Sequence, residues 1–388
     1  MDFSLNDEQK MLQAGAARFI KEQYSFEKRR ALAASPEGFS RDHWAKFAEL
    51  GWLALPFAEA ATDASAGGDE VGGLGGTAID TMLLMEQFGQ GLVLLPYLST
   101  ILMAGRAIEA MGSAQQRARF LPPIMAGDLF ASLAFVEPQA RYDLADVSTA
   151  ASISGKGWRL SGAKSIVLNG DVADLLVVPA RTAGGRTDER GLSCFLVDSK
   201  APGVQIRTVP STDGGRVSDI VFDDVKLDPE ALLGPEDGAL PFLSALLDRA
   251  AAALCAEAMG IIDAAVEATR AYLLQRSQFG RPLASFQALQ HRLSEMVIAQ
   301  EQTRSLVYVA SMRIGEDNPV ERARAVSAAK AEISRNGSMI LANAVQLHGG
   351  MGVSEELNVG TYFKRLHMIN ALFGDRDYHV RRYAALAA

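Results

Sequence analysis

Cysteine is scarce. Cys194 and Cys255 are the only two, and they stand far apart. No thiol pair has metal-ligand or redox spacing, so both are expected as small buried apolar residues. No apolar run is long enough to cross a bilayer, which argues against membrane insertion. The start, Met1 to Glu8, is acidic and has no apolar signal core, so a soluble cytoplasmic protein is the expectation. Concentrated positive charge is missing too. Net charge is −8 and Lys and Arg are scattered, which argues against nucleic acid as a partner. Lys364-Arg365 and Arg381-Arg382 are short basic pairs that read first as solvated faces, with an anionic phosphate or a partner's acidic patch as the alternatives. His291, His348 and His367 lack acidic partners at metal-ligand spacing, so no metal site is expected. There is no Gly-x-Ser-x-Gly, and no dinucleotide fingerprint follows a strand.

What remains is ordinary globular composition. Hydrophobic residues make up 48% and charged residues 22% of 388, enough for a large core and two or three domains. Residues 5–34 read as helix: Asn6 or Asp7 can cap it, and Met11, Leu12, Ala16, Phe19 and Ile20 recur at helical spacing. Residues 41–51 are amphipathic and end at Gly51. Residues 58–76, with six glycines from Gly67 to Gly76, read as a flexible loop before a helix that Thr77 or Asp80 starts. Two helical stretches follow in 78–112, broken around Gly89, Gly91 and Pro96. Residues 113–127 give another, interrupted at Pro122-Pro123. From about Leu129 the period changes. Residues 131–136, 158–161 (closed by a turn at Gly162), 165–168, 174–178, 192–197, 204–207 and 219–222 are short β-rich runs, the signature of a small sandwich or barrel. From about Pro241 the chain is helical again, with Phe286, Leu289, Leu293 and Met296 as a bundle seam. The expected architecture is mainly α with a central β domain: a helical domain over 1–128, a β domain over 129–238 and a helical bundle over 239–388.

Two stretches carry chemistry. Ala344-Val-Gln-Leu-His-Gly-Gly-Met-Gly352 ends a helical run in a turn that glycines make easily, where backbone can approach a ligand. Taken alone it reads as a helix cap. Arg276-Ser-Gln-Phe-Gly280 ends another helical run: Arg276 offers a planar fork for phosphate, and Phe279 can cover a flat ring. Together they point to a large, phosphate-bearing aromatic cofactor.

With Phe286-Gln287, Gln346-Leu-His-Gly-Gly350, Glu137-Pro138, Asn169-Gly170 and the helix–sheet–helix order, these stretches resemble the acyl-CoA dehydrogenase family over essentially the whole chain. The resemblance implies an N-terminal helical domain, a β-sandwich or barrel and a C-terminal four-helix bundle. It also implies FAD, an acyl-CoA thioester substrate and an electron-accepting flavoprotein. In that chemistry a carboxylate removes the proton α to the thioester while a hydride leaves the β-carbon for the flavin. Residues Arg141-Tyr-Asp-Leu-Ala-Asp146, Tyr362-Phe-Lys-Arg365 and Leu372-Phe-Gly-Asp375 are most similar to the small-subunit type of pimeloyl-CoA dehydrogenase. That similarity implies a large partner subunit and a dicarboxylyl or bulky acyl group.

By the same resemblance, Arg276 meets the FAD pyrophosphate, Phe279 packs beside the cofactor, and Gln346, Gly349 and Gly350 line its adenine end. These residues would serve a flavin held mainly by a neighbouring chain. The other half-site is altered: Val136 and Leu168 stand where threonines contact the flavin ring, and Gln139, Arg141 and Tyr142 replace small residues near the CoA portion. The usual base position falls on Phe373, before Gly374, and an alternative one on about Ala250; neither takes a proton. Asp248, Glu257 and Asp375 lie nearby in sequence, and Asp375 is the best remaining candidate. Three readings stand at this point. One is a small subunit completing a partner's flavin site. Another is a self-associating dehydrogenase with a relocated carboxylate. The third is a non-catalytic helical scaffold that retains the fold.

Overall fold

The structure is a computed structural model that describes residues 4–59, 72–316 and 318–387. Most of the expected glycine-rich loop, residues 60–71, lies outside the described residues. In chain order the helices are α1 (Asp7–Gln23), α2 (Phe26–Ala33), α3 (Arg41–Glu49), α4 (Ala78–Gly91), α5 (Arg106–Met111), α6 (Ala114–Ala126), α7 (Leu240–Gln275), α8 (Gln287–Arg313), α9 (Pro319–Glu332), α10 (Ser338–His348), α11 (Val359–Ala371) and α12 (Arg376–Ala387). Between α6 and α7 lie β1 (Ala131–Leu133), β2 (Ala150–Ser154), β3 (Gly157–Leu168), β4 (Leu175–Arg181), β5 (Leu192–Asp198), β6 (Val204–Pro210), β7 (Arg216–Leu227) and β8 (Leu232–Leu233). Packing divides the chain into two compact units: residues 1–33, 77–93 and 251–388, and residues 34–76 and 94–250. No helix among the described residues is long and apolar enough to cross a membrane.

The first unit is helical apart from one short hairpin over residues 277–282. Asn6 closes a capping box with Gln9 at the start of α1, and Thr77 does the same with Asp80 at the start of α4. Helices α4 and α7 meet backbone to backbone. A Cβ on Gly260 would lie 1.8 Å from the Glu86 carbonyl oxygen, and one on Gly89 2.0 Å from that of Glu257. Any side chain at either position would force the helices apart. Helix α11 is tied to both neighbours. Arg365 forks onto Glu257 at 2.6 and 2.9 Å, and the Tyr362 hydroxyl donates to the Gln90 carbonyl at 2.7 Å. Of the expected seam on α8, Met296 is buried, whereas Phe286, Leu289 and Leu293 are only half-buried. The start of that face is left open.

The second unit is built on one sheet with strand order β6-β7-β3-β2-β4-β5-β8, and β1 pairs in parallel with β4. Its core holds Leu160, Leu176, Val178, Phe195, Val197, Ile220, Phe222 and Val225, with Trp158 edge-on to Phe195. Two sequence expectations need correction. Residues 157–168 are one continuous strand. Gly162 stays inside the strand instead of turning it: at φ 147° it has no room for a Cβ, which would come 2.5 Å from the Thr149 Cα, and the bulge beside it is on β7, where Asp223 and Asp224 face Ser161. Helix α6 also continues through Pro122 and Pro123. The two lost donors are offset by the Ser113–Gln116 capping box and by complete burial of Leu121 and Ile124. The strand β2 and the short β8 had no alternating apolar pattern to mark them.

Candidate functional site

Helix α7 gives way at Arg276 to a small hairpin, β9 (Ser277–Gln278) and β10 (Arg281–Pro282), with Phe279 and Gly280 at its tip. The Arg276 carbonyl accepts from Leu283 N at 2.8 Å, which closes the hairpin onto the helix end. Helix α10 stops at His348 because Gly349 takes φ 58°, ψ −138°, a conformation that suits glycine. Gly352 is needed for a different reason: a Cβ there would lie 2.4 Å from the Val345 oxygen. Between the hairpin, the first turns of α8 and the end of α10 lies a cleft of about 650 Å³. Arg276, Gln346, Gly349 and Gly350 all line it, together with Tyr272, Leu289, Arg292 and His348. A Cβ built on Gly349 or Gly350 meets no atom within 4 Å, so this wall has room beside its backbone.

The lining contains Arg276 and Arg292 and no aspartate or glutamate, although the chain as a whole is acidic. Neither guanidinium has a carboxylate partner among the described residues; Arg292 donates to Asn343 Oδ1 at 3.4 Å. His348 is buried; its Nδ1 lies 2.8 Å from the Ala344 carbonyl, and its ring stacks on Tyr272 at 4.5 Å and 27°. A carbonyl only accepts, so Nδ1 carries the proton. Such a cleft is suited to an anionic ligand with flat, amide-bonding parts. Phe279 is not in its lining. It stands 89% exposed at the hairpin tip with φ 54°, its ring 6.1 Å from Phe286 and nearly perpendicular to it. Tyr272, Arg292 and Asn343 were not singled out from the sequence. The signal was there: Tyr272 precedes Arg276 by one helical turn, and Asn343 precedes Gln346 by nearly one.

The other expected half-site, in the second unit, is closed by internal bonds. Val136 and Leu168 are half-buried, and their carbonyls accept from Ser165 N and Ser132 Oγ, each at 2.8 Å. Asn169, at φ 52°, takes a bond from Ser99 Oγ at 2.9 Å. Glu137 is fully buried and pairs with the equally buried Lys164 at 2.7 Å. It also accepts from Ser148 N, Thr149 N and Gln139 Nε2. Burial alone would raise the Glu137 pKa. The Lys164 charge and the hydrogen bonds from Lys164, Gln139 and Thr149 outweigh that and bring it down to about 2. Glu137 is therefore a fixed anion that ties residues 137–149 to β3, and Gln139 is engaged in the same network. Arg141 stands exposed at φ 49°.

At the expected base positions no carboxylate appears. Ala250 is completely buried. Phe373 and Gly374 turn the chain between α11 and α12 at φ 58° and 112°. The turn is held by main-chain oxygens. Buried Lys330 donates to those of Ile369 and Leu372 at 2.6 and 2.7 Å, and His379 Nε2 lies 3.0 Å from that of Phe373. Burial, with the Lys330 charge, lowers the His379 pKa to about 3, and burial lowers that of Lys330 to about 8. Asp375 is exposed and accepts from Tyr378 N at 2.8 Å, capping α12. Glu257 is committed to Arg365. One carboxyl had gone unnoticed in the sequence. Glu86 on α4 is buried, its Oε1 has no hydrogen-bond partner among the described residues, and burial raises its pKa to about 7.

Comparison with known proteins bears on the family and the fold. Residues 6–128, 132–225 and 237–387 match the family models for the N-terminal, middle and C-terminal domains of acyl-CoA dehydrogenase. A short-chain specific acyl-CoA dehydrogenase of Clostridium acetobutylicum is 28% identical over 373 residues, covering 92% of each chain. Butyryl-CoA dehydrogenase from Megasphaera elsdenii superposes with a TM-score of 0.88 at 25% identity over 100% of both chains. A chain of the ChsE4–ChsE5 complex from Mycobacterium tuberculosis superposes with a TM-score of 0.83 at 26% identity, covering 99% of this chain and 98% of that one.

Proposed function

Since the chain belongs to the acyl-CoA dehydrogenase family, matched along nearly all of its length, we propose that it is the small subunit of a heteromeric, FAD-dependent acyl-CoA dehydrogenase. The type is that of the pimeloyl-CoA enzyme, with two large and two small subunits. The observation that carries this reading is the cleft in which Arg276, Gln346, Gly349 and Gly350 meet without any acid. These residues fit a flavin dinucleotide: a guanidinium fork for the pyrophosphate, a side-chain amide for the base, and open space beside a glycine backbone. When bound, FAD supplies a hydride acceptor for the β-carbon of the acyl-CoA. Arg276 neutralises the phosphates, Gln346 orients the base, and Gly349-Gly350 lets the backbone approach. Phe279, exposed at its hairpin tip, is the side chain offered to the neighbouring chain and its cofactor.

The proton acceptor belongs to the large subunit. Phe373 and Ala250 occupy the positions where the resemblance expects a carboxylate, and Asp375 is engaged as a helix cap. The similarity to a chain of a two-protein complex supports an assembly of unlike subunits. The resemblance of residues 141–146, 362–365 and 372–375 to the pimeloyl-CoA enzyme is what supports a dicarboxylyl or bulky acyl-CoA as the substrate. A second flavoprotein takes the electrons, since reduced FAD must be reoxidised at each turnover. Residues 1–128, 129–238 and 239–388 act as the three domains of this subunit.

The test is to purify the chain alone and with the large subunit, and count flavin per polypeptide. One FAD per pair of unlike chains, with turnover only in the pair, is the expected result. Full FAD occupancy and turnover by the lone chain would overturn the division of labour.

A further inference from the structure

We propose that Arg292 is a second cation for the dinucleotide pyrophosphate, sharing the cleft with Arg276. The inference rests on the flavin reading of the cleft and adds to it a residue that the sequence motifs did not mark.

A pyrophosphate bridging two nucleosides is doubly negative, so one guanidinium leaves it half neutralised. Arg292 lines the same cleft as Arg276 and stands on the second turn of α8, one helical turn after Ala288, which also lines it. It has no carboxylate partner among the described residues, whereas arginines elsewhere in this unit do: Arg304 pairs with Asp263 at 2.6 Å and Arg365 with Glu257 at 2.6 Å. An arginine held only by an amide oxygen, in a cleft whose described lining has no acid, is a stored positive charge. Its direction is also set. Asn343 Nδ2 donates to the Met339 carbonyl at 3.0 Å, which fixes the amide and turns Oδ1 toward Arg292. Asn343 is therefore a positioning residue; it lies three positions before Gln346 on α10, behind the cleft lining, and reaches it through Arg292. The start of α8 adds to the effect, because Phe286 at its N-cap makes no side-chain bond to the first turn, where Ala288 and Leu289 line the cleft.

The experiment uses the co-expressed assembly of both subunits. FAD is titrated into the deflavinated assembly by fluorescence quenching, with ADP as competing probe, for wild type, Arg292→Gln, Arg292→Lys and Arg276→Gln. Loss of one charged hydrogen-bond donor weakens binding roughly ten- to a hundredfold, and that is the expected effect of Arg292→Gln on both FAD and ADP. Arg292→Lys should recover part of the loss, because it keeps the charge and loses the fork. The Arg292→Gln assembly should also lose less FAD affinity than wild type as salt is raised. Wild-type affinity in Arg292→Gln with a large loss in Arg276→Gln would overturn the assignment of Arg292 and leave the flavin cleft standing. Wild-type affinity in both variants would overturn the cleft itself.

Discussion

The cleft beside Arg276 and the pocket around Glu137 are both polar, and they are polar in opposite ways. In the first, two guanidiniums have no carboxylate partner among the described residues and a glycine turn has space beside it. In the second, a carboxylate and an ammonium are buried against each other and every additional bond comes from the chain itself. Unspent bonding capacity marks a place that waits for something from outside. Closed bonding marks a place that holds the fold. A family resemblance that highlights Arg276 and Glu137-Pro138 alike does not separate these two kinds of residue; their partners do.

The comparison breaks most visibly at Lys164. Lys164→Ala leaves Glu137 buried and unpaired, and breaking such a pair costs about 3–5 kcal/mol. Urea unfolding of the assembly should show that loss, and a variant within 1 kcal/mol of wild type would mean that water reaches Glu137 readily.

Next in size is Glu86. Its folded pKa of about 7 lies above the ordinary 4.5, so between those values the folded chain binds more protons than the unfolded one. Stability therefore falls as pH rises from about 4.5 to about 7 and stays at the lower level above that. The linked change is on the order of 3 kcal/mol. Glu86→Gln should show no such fall, matching wild type in acid and exceeding it above neutrality. Parallel pH–stability curves for the two proteins would refute the buried, proton-holding carboxyl.

Arg276→Gln should act the other way round from Lys164→Ala. Flavin affinity should drop by about 1.5–3 kcal/mol, read as FAD retained after gel filtration. The unfolding free energy of the deflavinated assembly should stay within about 0.5 kcal/mol of wild type, as for other exposed substitutions. A large stability change would move Arg276 into the closed class.

The smallest effect is expected at Asp375. Asp375→Asn keeps a capping side chain on α12, so stability should change by less than about 1 kcal/mol. Bleaching of the assembly's flavin by substrate should persist. Abolished bleaching would return Asp375 to the role of proton acceptor.

Local rules made much of the fold legible. Asn6 and Thr77 announce their helices through short-range capping, and the change from helical to alternating period near Leu129 marks the sheet. The errors came where distant residues decide. Gly162 reads as a turn until Thr149 is seen packed against it, and Pro122-Pro123 reads as a break until the burial of Leu121 and Ile124 is weighed. The candidate site divides in the same way. Arg276, Gln346, Gly349 and Gly350 lie in two contiguous motifs, so their meeting could be anticipated. Arg292 and Asn343 are 51 positions apart, and the pair Glu137–Lys164 is 27 apart. No periodicity links such residues, and only the folded chain brings them together.

The turn after α11 has a practical consequence. It is anchored through the backbone oxygens of Ile369, Leu372 and Phe373, which any amino acid supplies, by Lys330 and His379 from other helices. The chemistry displayed at residue 373 is thus uncoupled from the bonds that shape the bend. A substitution there leaves these three backbone acceptors in place, so the group shown at the bend can change while its anchors stay.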